Sequence, residues 1–220
     1  MNALAKPRLQ VALDTTVLAE ALRPLNRAID RIDVIECGTV LILAEGLRVI
    51  REIRALYPTK TILADVRIAE AGALIARNCF EAGASWVSVV AGASLTTVEQ
   101  VVKVATEFGG EVQIELGESY DPAKALEWRR LGVEHVIVKR SRDLEAAGTL
   151  TWGSNDVQRI HELAGMGFTV TITGDVTVAD LDTFAGVPVG VVIAGRAIVG
   201  ALDPLAASAE LQQKLAEVWP

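Results

Sequence analysis

Residues 61–72 read TILADVRIAEAG, and this stretch contains the two features that decide the fold. Its first half, TILADV (61–66), is a short run of apolar and β-branched residues that predicts a strand. Its second half brings Asp65, Arg67 and Glu70 together, where the chain is expected to turn into a helix. The stretch therefore predicts a buried strand that ends in charged residues.

Seven further strand-length runs recur along the chain, separated by amphipathic stretches of helical length. One such stretch is EGLRVIREIRALYP (45–58), in which Leu47, Ile50, Ile53 and Leu56 form an apolar stripe. A last helix is predicted over roughly 202–219. The seven runs are LQVALD (9–14), IDVIECG (32–38), WVSVVAG (86–92), EVQIELG (111–117), HVIVKR (135–140), TVTITGD (169–175) and GVVIAGR (190–196).

Eight strand–helix units in 220 residues predict an α/β fold, and specifically a single (β/α)8 TIM barrel. An open doubly wound sheet is the alternative. That fold usually has fewer strands and a glycine-rich first turn, whereas VALDTT (11–16) contains no glycine. No linker or low-complexity segment interrupts the pattern, so we expect residues 1–220 to form one domain.

The composition narrows the range of functions. The formal net charge is −7 with no basic block, so binding to nucleic acid or to an anionic membrane is not expected. The start of the chain shows neither a signal peptide nor an apolar run long enough to span a membrane. Two cysteines, Cys37 and Cys79, cannot build a disulfide framework. These features predict a cytoplasmic protein.

Charged residues end most of the predicted strands. In (β/α)8 barrels the active site lies at the C-terminal ends of the strands, so these residues should surround one mouth. Five charges that end apolar strands favour a functional site over a solvated rim or internal salt bridges. In strand order the ends are Asp14, Glu36, Asp65, Ala91, Glu115, Lys139, Thr173–Gly174 and Gly195–Arg196.

Two parts of this mouth suggest specific ligands. Glu36 and Asp65 end neighbouring strands and supply the hard oxygen ligands that Mg²⁺ prefers. The loops after the seventh and eighth strands of such barrels commonly bind phosphate, and Gly174, Gly195 and Arg196 suit that role. His135 begins a strand, so it should lie at the opposite end of the barrel in a structural role.

The sequence resembles the group formed by 3-keto-L-gulonate 6-phosphate decarboxylase and 3-hexulose-6-phosphate synthase, within the orotidine-monophosphate-decarboxylase superfamily. QIEL, RSRD and the tryptophan–glycine step place it closer to the decarboxylase. The matching stretches are VALD (11–14), IECGT (35–39), LYPTKTILAD (56–65), CFEAGASWVSVV (79–90), EVQIEL (111–116), RSRD (140–143), AAGTLTWG (146–153), MGFTVTITG (166–174) and IAGR (193–196).

This resemblance implies a homodimeric barrel whose sites are completed across the interface. It implies that Glu36 and Asp65 bind Mg²⁺ and that the substrate is a phosphorylated keto sugar, which reacts through an enediolate. Asp14 and Glu115 would contact the sugar, and Glu70 would act in the partner's site. The phosphate pocket would contain Arg142, Thr173, Gly174, Gly195 and Arg196.

Several positions depart from the family pattern. The D-x-K-x-x-D signature reads Asp65-x-Arg67-x-x-Glu70, and Lys139 replaces a histidine before RSRD. Asp175 stands where the family has a second glycine. We therefore expect a Mg²⁺-dependent carbon–carbon lyase of the decarboxylase type with altered residues, in which Asp65, Arg67, Glu70 and Lys139 are catalytic. A Schiff-base aldolase using Lys139 and a non-catalytic phosphosugar-binding paralogue remain alternatives.

Overall fold

The computed structural model describes residues 4–140 and 152–220 of the chain. Eight parallel strands pair in sequence order, and the last pairs with the first to close a barrel. The predicted (β/α)8 barrel is thus confirmed. The strands are β1 (Arg8–Leu13), β2 (Val34–Cys37), β3 (Thr61–Ile68), β4 (Trp86–Val90), β5 (Glu111–Glu115), β6 (His135–Lys139), β7 (Thr169–Thr173) and β8 (Val189–Ala194).

Seven strands end one or two residues before the ends of the quoted runs, because the last residues of those runs lie beyond the strands, in the loops or, for Arg196, at the start of the next helix. The exception is β3, which continues to Ile68 and includes Arg67. The expectation that Arg67 lies where the chain turns into a helix is therefore wrong. The next helix begins only at Gly72.

Helices cover the outside of the barrel. Their bounds in the described part of the chain are α1 (Leu18–Ala28), α2 (Thr39–Glu45), α3 (Arg48–Leu56), α4 (Gly72–Glu81), α5 (Leu95–Phe108), α6 (Pro122–Leu131), α7 (Ser154–Gly165), α8 (Arg196–Val199) and α9 (Pro204–Val218). Short 3₁₀ segments span Ile29–Arg31 and Val178–Phe184. No helix in residues 4–140 or 152–220 is long and apolar enough to cross a membrane.

The predicted helix over 45–58 is shorter than expected. It begins at Arg48, since Gly46, at φ +69°, ends α2 just before it. Ile50 and Ile53 of the apolar stripe are fully buried, but Leu56 is exposed. The last helix matches its prediction to within two residues at each end.

Successive strand residues point alternately outward and inward, which creates two cores. The outer core packs strands against helices, and each fully buried Ile or Val there contributes about 1.5–3 kcal/mol. A small inner cluster of Val34, Leu63, Trp86 and Val191 fills the barrel. The inward set also contains buried polar residues, namely Gln10, Glu36, Asp65, Ser88, Gln113, Glu115, His135 and Thr171.

Candidate active site

The C-terminal mouth of the barrel contains a cavity of about 330 Å³. It brings together ten of the residues predicted from strand ends and motifs. Glu70 is exposed and does not line this cavity, and Arg142 lies outside the described residues. The ten lining residues are Asp14, Glu36, Asp65, Arg67, Glu115, Lys139, Thr173, Gly174, Gly195 and Arg196.

Strand geometry explains why the acids converge. Glu36 is aligned with Leu63 across the β2–β3 pair, so Asp65 lies one inward position further along its strand. Inward residues two apart point into the same barrel at successive heights. The apolar residues of the inner cluster lie below, and the carboxylates lie at the mouth above them.

Arg67 reaches the mouth because β3 is irregular at its end. The register between β3 and β4 shifts between Ala64 and Ile68, and Arg67 adopts a left-handed conformation with φ +47°. Its backbone N–H donates to Ser88 Oγ at 2.8 Å. A bulge of this kind redirects a side chain, and here it places the guanidinium over the carboxylates.

The carboxylate of Asp65 is held by two hydroxyl groups that the sequence interpretation missed. Ser88 Oγ donates to Asp65 Oδ1 at 2.7 Å, and Thr39 Oγ1 donates to Oδ2 at 2.6 Å. A carboxylate has about four lone-pair sites, so both oxygens keep capacity to bind a cation. The sequence offered one indication of each role, a hydroxyl residue next to or within an apolar run: Ser88 in WVSVV and Thr39 in IECGT.

Glu36 is buried, and its Oε2 accepts a hydrogen bond from Gln10 Nε2 at 2.7 Å. Burial raises the pKa of Glu36 well above its usual value, and the neighbouring Asp65 carboxylate raises it further. The bond from Gln10 offsets this only in part. Gln10 was also missed, although it is the one polar residue among the buried positions of its strand.

Glu115 lies between two cations. Its Oε1 accepts from Lys139 Nζ, and its Oε2 lies 3.1 Å from Arg67 Nε. Arg67 Nε also lies 3.5 Å from Asp65 Oδ2. Burial by itself lowers the pKa of Arg67, but the surrounding carboxylates outweigh it and raise that pKa overall. These contacts connect three of the predicted catalytic side chains into one ionic network.

The Glu36–Asp65 pair fits a divalent cation. Two carboxylates from adjacent strands crowd together at the bottom of the cavity, and each is an oxygen ligand of the type that Mg²⁺ prefers. A cation between them would relieve the repulsion that disfavours ionised Glu36.

A second group of possible ligands lies at the other end of the barrel. Atoms of Glu111, Glu134 and His135 lie within 4.8 Å of one another. However, Glu111 Oε2 is already 2.6 Å from His135 Nε2. Because Glu111 and His135 are already hydrogen-bonded to each other at the start of two strands, this group fits a cation less well than the Glu36–Asp65 pair.

The β7 and β8 ends form the opposite wall of the cavity. Gly174 has φ +110°, and a Cβ there would lie 2.7 Å from Arg140 Cβ, so only glycine fits. Arg140 Nε and Nη2 both donate to the Gly174 carbonyl, at 2.8 and 2.6 Å. Arg196 Nη2 lies 3.0 Å from Asp175 Oδ1. The same cavity is therefore lined by the Arg196 guanidinium as well as by the Glu36–Asp65 carboxylates.

Comparisons with known proteins agree with this geometry. The chain is 43% identical over 216 residues to the 3-keto-L-gulonate-6-phosphate decarboxylase UlaD of Escherichia fergusonii, covering 98% of this chain and 100% of that one. A ligand-bound crystal structure of KGPDC from Streptococcus mutans matches with a TM-score of 0.95 at 35% identity, covering 98% and 100% of the two chains.

The 3-hexulose-6-phosphate synthase of Salmonella typhimurium is also similar, with a TM-score of 0.88 at 28% identity over 96% of this chain and 99% of that one. The identities agree with the expected closer likeness to the decarboxylase. The resemblance found in the sequence motifs is thus confirmed. With a family match over residues 7–211, the chain belongs to the orotidine 5'-phosphate decarboxylase / HUMPS family.

Proposed function

We propose that this protein is a Mg²⁺-dependent carbon–carbon lyase that decarboxylates 3-keto-L-gulonate 6-phosphate or a closely related phosphorylated keto sugar acid. One observation carries the proposal: a single cavity holds the Glu36–Asp65 carboxylate pair on one wall and Arg196 on the other. A substrate with an oxygen-rich reacting end and a terminal phosphate matches both walls. The full-length similarity to UlaD supports the same substrate class.

The residues of the mouth have different roles in the proposed reaction. Glu36 and Asp65 would hold Mg²⁺, which when bound supplies positive charge for the substrate oxygens. Arg67 adds a fixed positive charge beside them, but its guanidinium is a poor proton donor.

Lys139, paired with Glu115, is the proton donor for the enediolate that remains after CO₂ leaves. Asp14 and Glu115 bind the sugar hydroxyls, and Thr173, Gly174, Gly195, Arg196 and Arg142 form the phosphate pocket.

The decisive assay measures CO₂ release from 3-keto-L-gulonate 6-phosphate with Mg²⁺, with EDTA and with the unphosphorylated sugar acid. We expect turnover only with Mg²⁺ and only from the phosphorylated compound. Full activity in EDTA contradicts the metal assignment. Binding of the phosphorylated sugar without any turnover identifies a non-catalytic paralogue instead.

The aldolase alternative predicts a different outcome. A Schiff base needs Lys139 Nζ free to attack a carbonyl group, whereas in this structure it donates a hydrogen bond to Glu115 Oε1. Borohydride treatment in the presence of substrate should therefore leave the protein unlabelled. A borohydride-dependent adduct on Lys139, with turnover that survives EDTA, supports the aldolase.

We also propose a homodimer in the cytoplasm, in which Glu70 acts in the site of the partner subunit. Glu70 is exposed beside the mouth without lining its own cavity. Two large apolar side chains are also exposed on the helices that follow β2 and β3, namely Leu43 (81% exposed) and Leu74 (64%). Burial of these side chains against a second subunit would remove apolar surface from water.

Subunit mixing tests this arrangement. Glu70→Gln and Lys139→Ala homodimers should each be inactive, and their mixture should recover activity because heterodimers contain one intact composite site. Mixing Asp65→Asn with Lys139→Ala is the control. Both residues act in the site of their own chain, so each of the two sites in a heterodimer keeps one defect and no activity should return. No recovery despite verified subunit exchange contradicts the shared site.

A further inference from the structure

The turn after β7 is built in a conformation that its sequence does not favour. Gly174 has φ +110° and Asp175 has φ +50°, so two successive residues lie in the left-handed region. Glycine adopts such angles freely, but for other residues they are uncommon. Asp175 is thus held in this conformation by its surroundings.

Hydrogen bonds from Arg140 stabilise this conformation. Its guanidinium donates twice to the Gly174 carbonyl and also to the Asp175 carbonyl at 3.1 Å. The guanidinium itself lies 5.1 Å above the Trp152 ring and 4.0 Å from Asp180. These contacts of Arg140 stabilise the backbone of the turn at Gly174 and Asp175.

The side chain of Asp175 meets Arg196 across the cavity wall, with 3.0 Å between Oδ1 and Nη2. Both side chains stay accessible, at 33% exposure for Asp175 and 60% for Arg196. An accessible ion pair of this kind is weak and can be displaced by a competing anion. Both residues line the same cavity as the carboxylate pair.

We propose that the Asp175 carboxylate occupies the phosphate subsite of its own chain through its ion pair with Arg196, and that it thereby limits how tightly phosphorylated ligands bind. This inference rests on the phosphate pocket of the proposed function. An incoming phosphate group must displace the Asp175 carboxylate and then remain beside its negative charge. Asp175 therefore lowers the affinity for every phosphorylated ligand by a similar factor.

A uniform penalty leaves the ratio of the affinities of two phosphorylated ligands unchanged, but it decides which of them is bound at a given concentration. A ligand held by its phosphate alone, such as inorganic phosphate, becomes largely unbound. A substrate that also reaches the Glu36–Asp65 wall keeps enough binding free energy from its other end to stay bound. Asp175 thus raises the affinity that a phosphorylated ligand must gain from contacts outside the phosphate subsite.

Calorimetric titration with inorganic phosphate tests this without any turnover. We expect Asp175→Asn to bind phosphate about three- to tenfold more tightly than the parent chain, because the displaced ion pair and the remaining repulsion are both removed. Asp182→Asn is the matched control: its carboxylate lies in the same connecting segment but pairs with Lys214, and we expect no change. In an Arg196→Ala background the gain from Asp175→Asn should be smaller, because no ion pair is left to displace and only the repulsion is removed.

Asp175→Gly gives a second route, since glycine accepts φ +50° without strain and the loop should fold even if asparagine disturbs it. Equal phosphate affinity in the parent chain and both Asp175 variants overturns the inference, as does an equal gain in Asp182→Asn. A gain of undiminished size without Arg196 also overturns it, and so does a lack of phosphate binding in every variant. Failure of CO₂ release alongside the expected phosphate affinities overturns only the proposed function.

Discussion

The two ends of the barrel use charge in opposite ways. At the mouth, Glu36 and Asp65 crowd together, and burial and repulsion raise the pKa of Glu36. At the other end, Glu111 lies 2.6 Å from His135, and this hydrogen bond lowers the pKa of Glu111 below its usual value. His135 packs on Trp86, with 4.6 Å between ring centroids.

The charged groups at the mouth and those at the opposite end therefore have different roles, the first in function and the second in stability. The Glu111–His135 contact joins a carboxylate and an imidazole at the start of two strands, where the sequence interpretation expected His135 to lie, and we expect this contact to contribute to stability. At the mouth, burial and the neighbouring Asp65 carboxylate disfavour ionised Glu36, and the hydrogen bond from Gln10 compensates only in part, which is the usual condition of groups arranged for binding or catalysis. Charge substitutions should therefore affect activity at one end and stability at the other.

The largest expected effect comes from exchanging one acid at each end. Asp65→Asn should lower turnover by more than about a hundredfold, because even the residues that support a metal ligand typically contribute 10- to 100-fold. Glu111→Gln should leave turnover within about twofold. Steady-state kinetics with titrated Mg²⁺ measures both. Similar losses in the two variants would contradict the division between the ends.

The next effect concerns the hydroxyl behind Asp65. Ser88→Ala removes the 2.7 Å bond to Asp65 Oδ1 and the acceptor of the Arg67 N–H. We expect Mg²⁺ affinity to fall about 10- to 100-fold. Ser208→Ala is the control, since Ser208 is equally buried but bonds only the Leu205 carbonyl of its own helix among the described contacts. An unchanged metal affinity in Ser88→Ala would show that this hydroxyl does not support the ligand.

A smaller change is expected when the departures from the family pattern are reversed at the mouth. The triple variant Arg67→Lys, Glu70→Asp, Lys139→His restores an ammonium on β3 and a group titrating near neutrality on β6. We expect a several-fold gain in decarboxylation of 3-keto-L-gulonate 6-phosphate. The gain should exceed the product of the single effects, because the side chains of Arg67 and Lys139 share Glu115. A parent chain that is already as efficient as the triple variant shows that the departures are neutral.

The smallest effect is on stability at the opposite end. Glu111→Gln should cost about 1 kcal/mol at neutral pH, since a charged hydrogen bond is weakened here by partial exposure. The folded pKa of Glu111 is lowered, so its contribution is present above the unfolded value near 4.5 and is lost as the pH falls through the folded pKa. Urea unfolding from pH 7 to pH 3 should show the difference shrinking below about pH 4.5. Glu134→Gln, an exposed neighbour, is the control.

Most of the fold and much of the mouth could be predicted without coordinates. Strands and helices have different periods, and parallel strands bring their C-terminal ends to one side, so Asp14, Glu36, Asp65 and Glu115 were expected together. Gln10, Ser88 and Thr39 were not predicted, because their importance depends on which atom of a neighbouring strand or loop each one meets. The role of Arg142 stays a prediction, since it lies outside the described residues.

The amino-acid sequence by itself determined the number of strands, the order of the charged strand ends and the family. These follow from local patterns and from a rule of chain direction. Only the tertiary structure decided the bulge that places Arg67 over Glu115 and the turn that brings Asp175 to Arg196. Both contacts join residues that are distant in the chain, and both depend on left-handed backbone angles at non-glycine residues. Such angles are imposed by packing and hydrogen bonds from other elements, so no local sequence pattern predicts them.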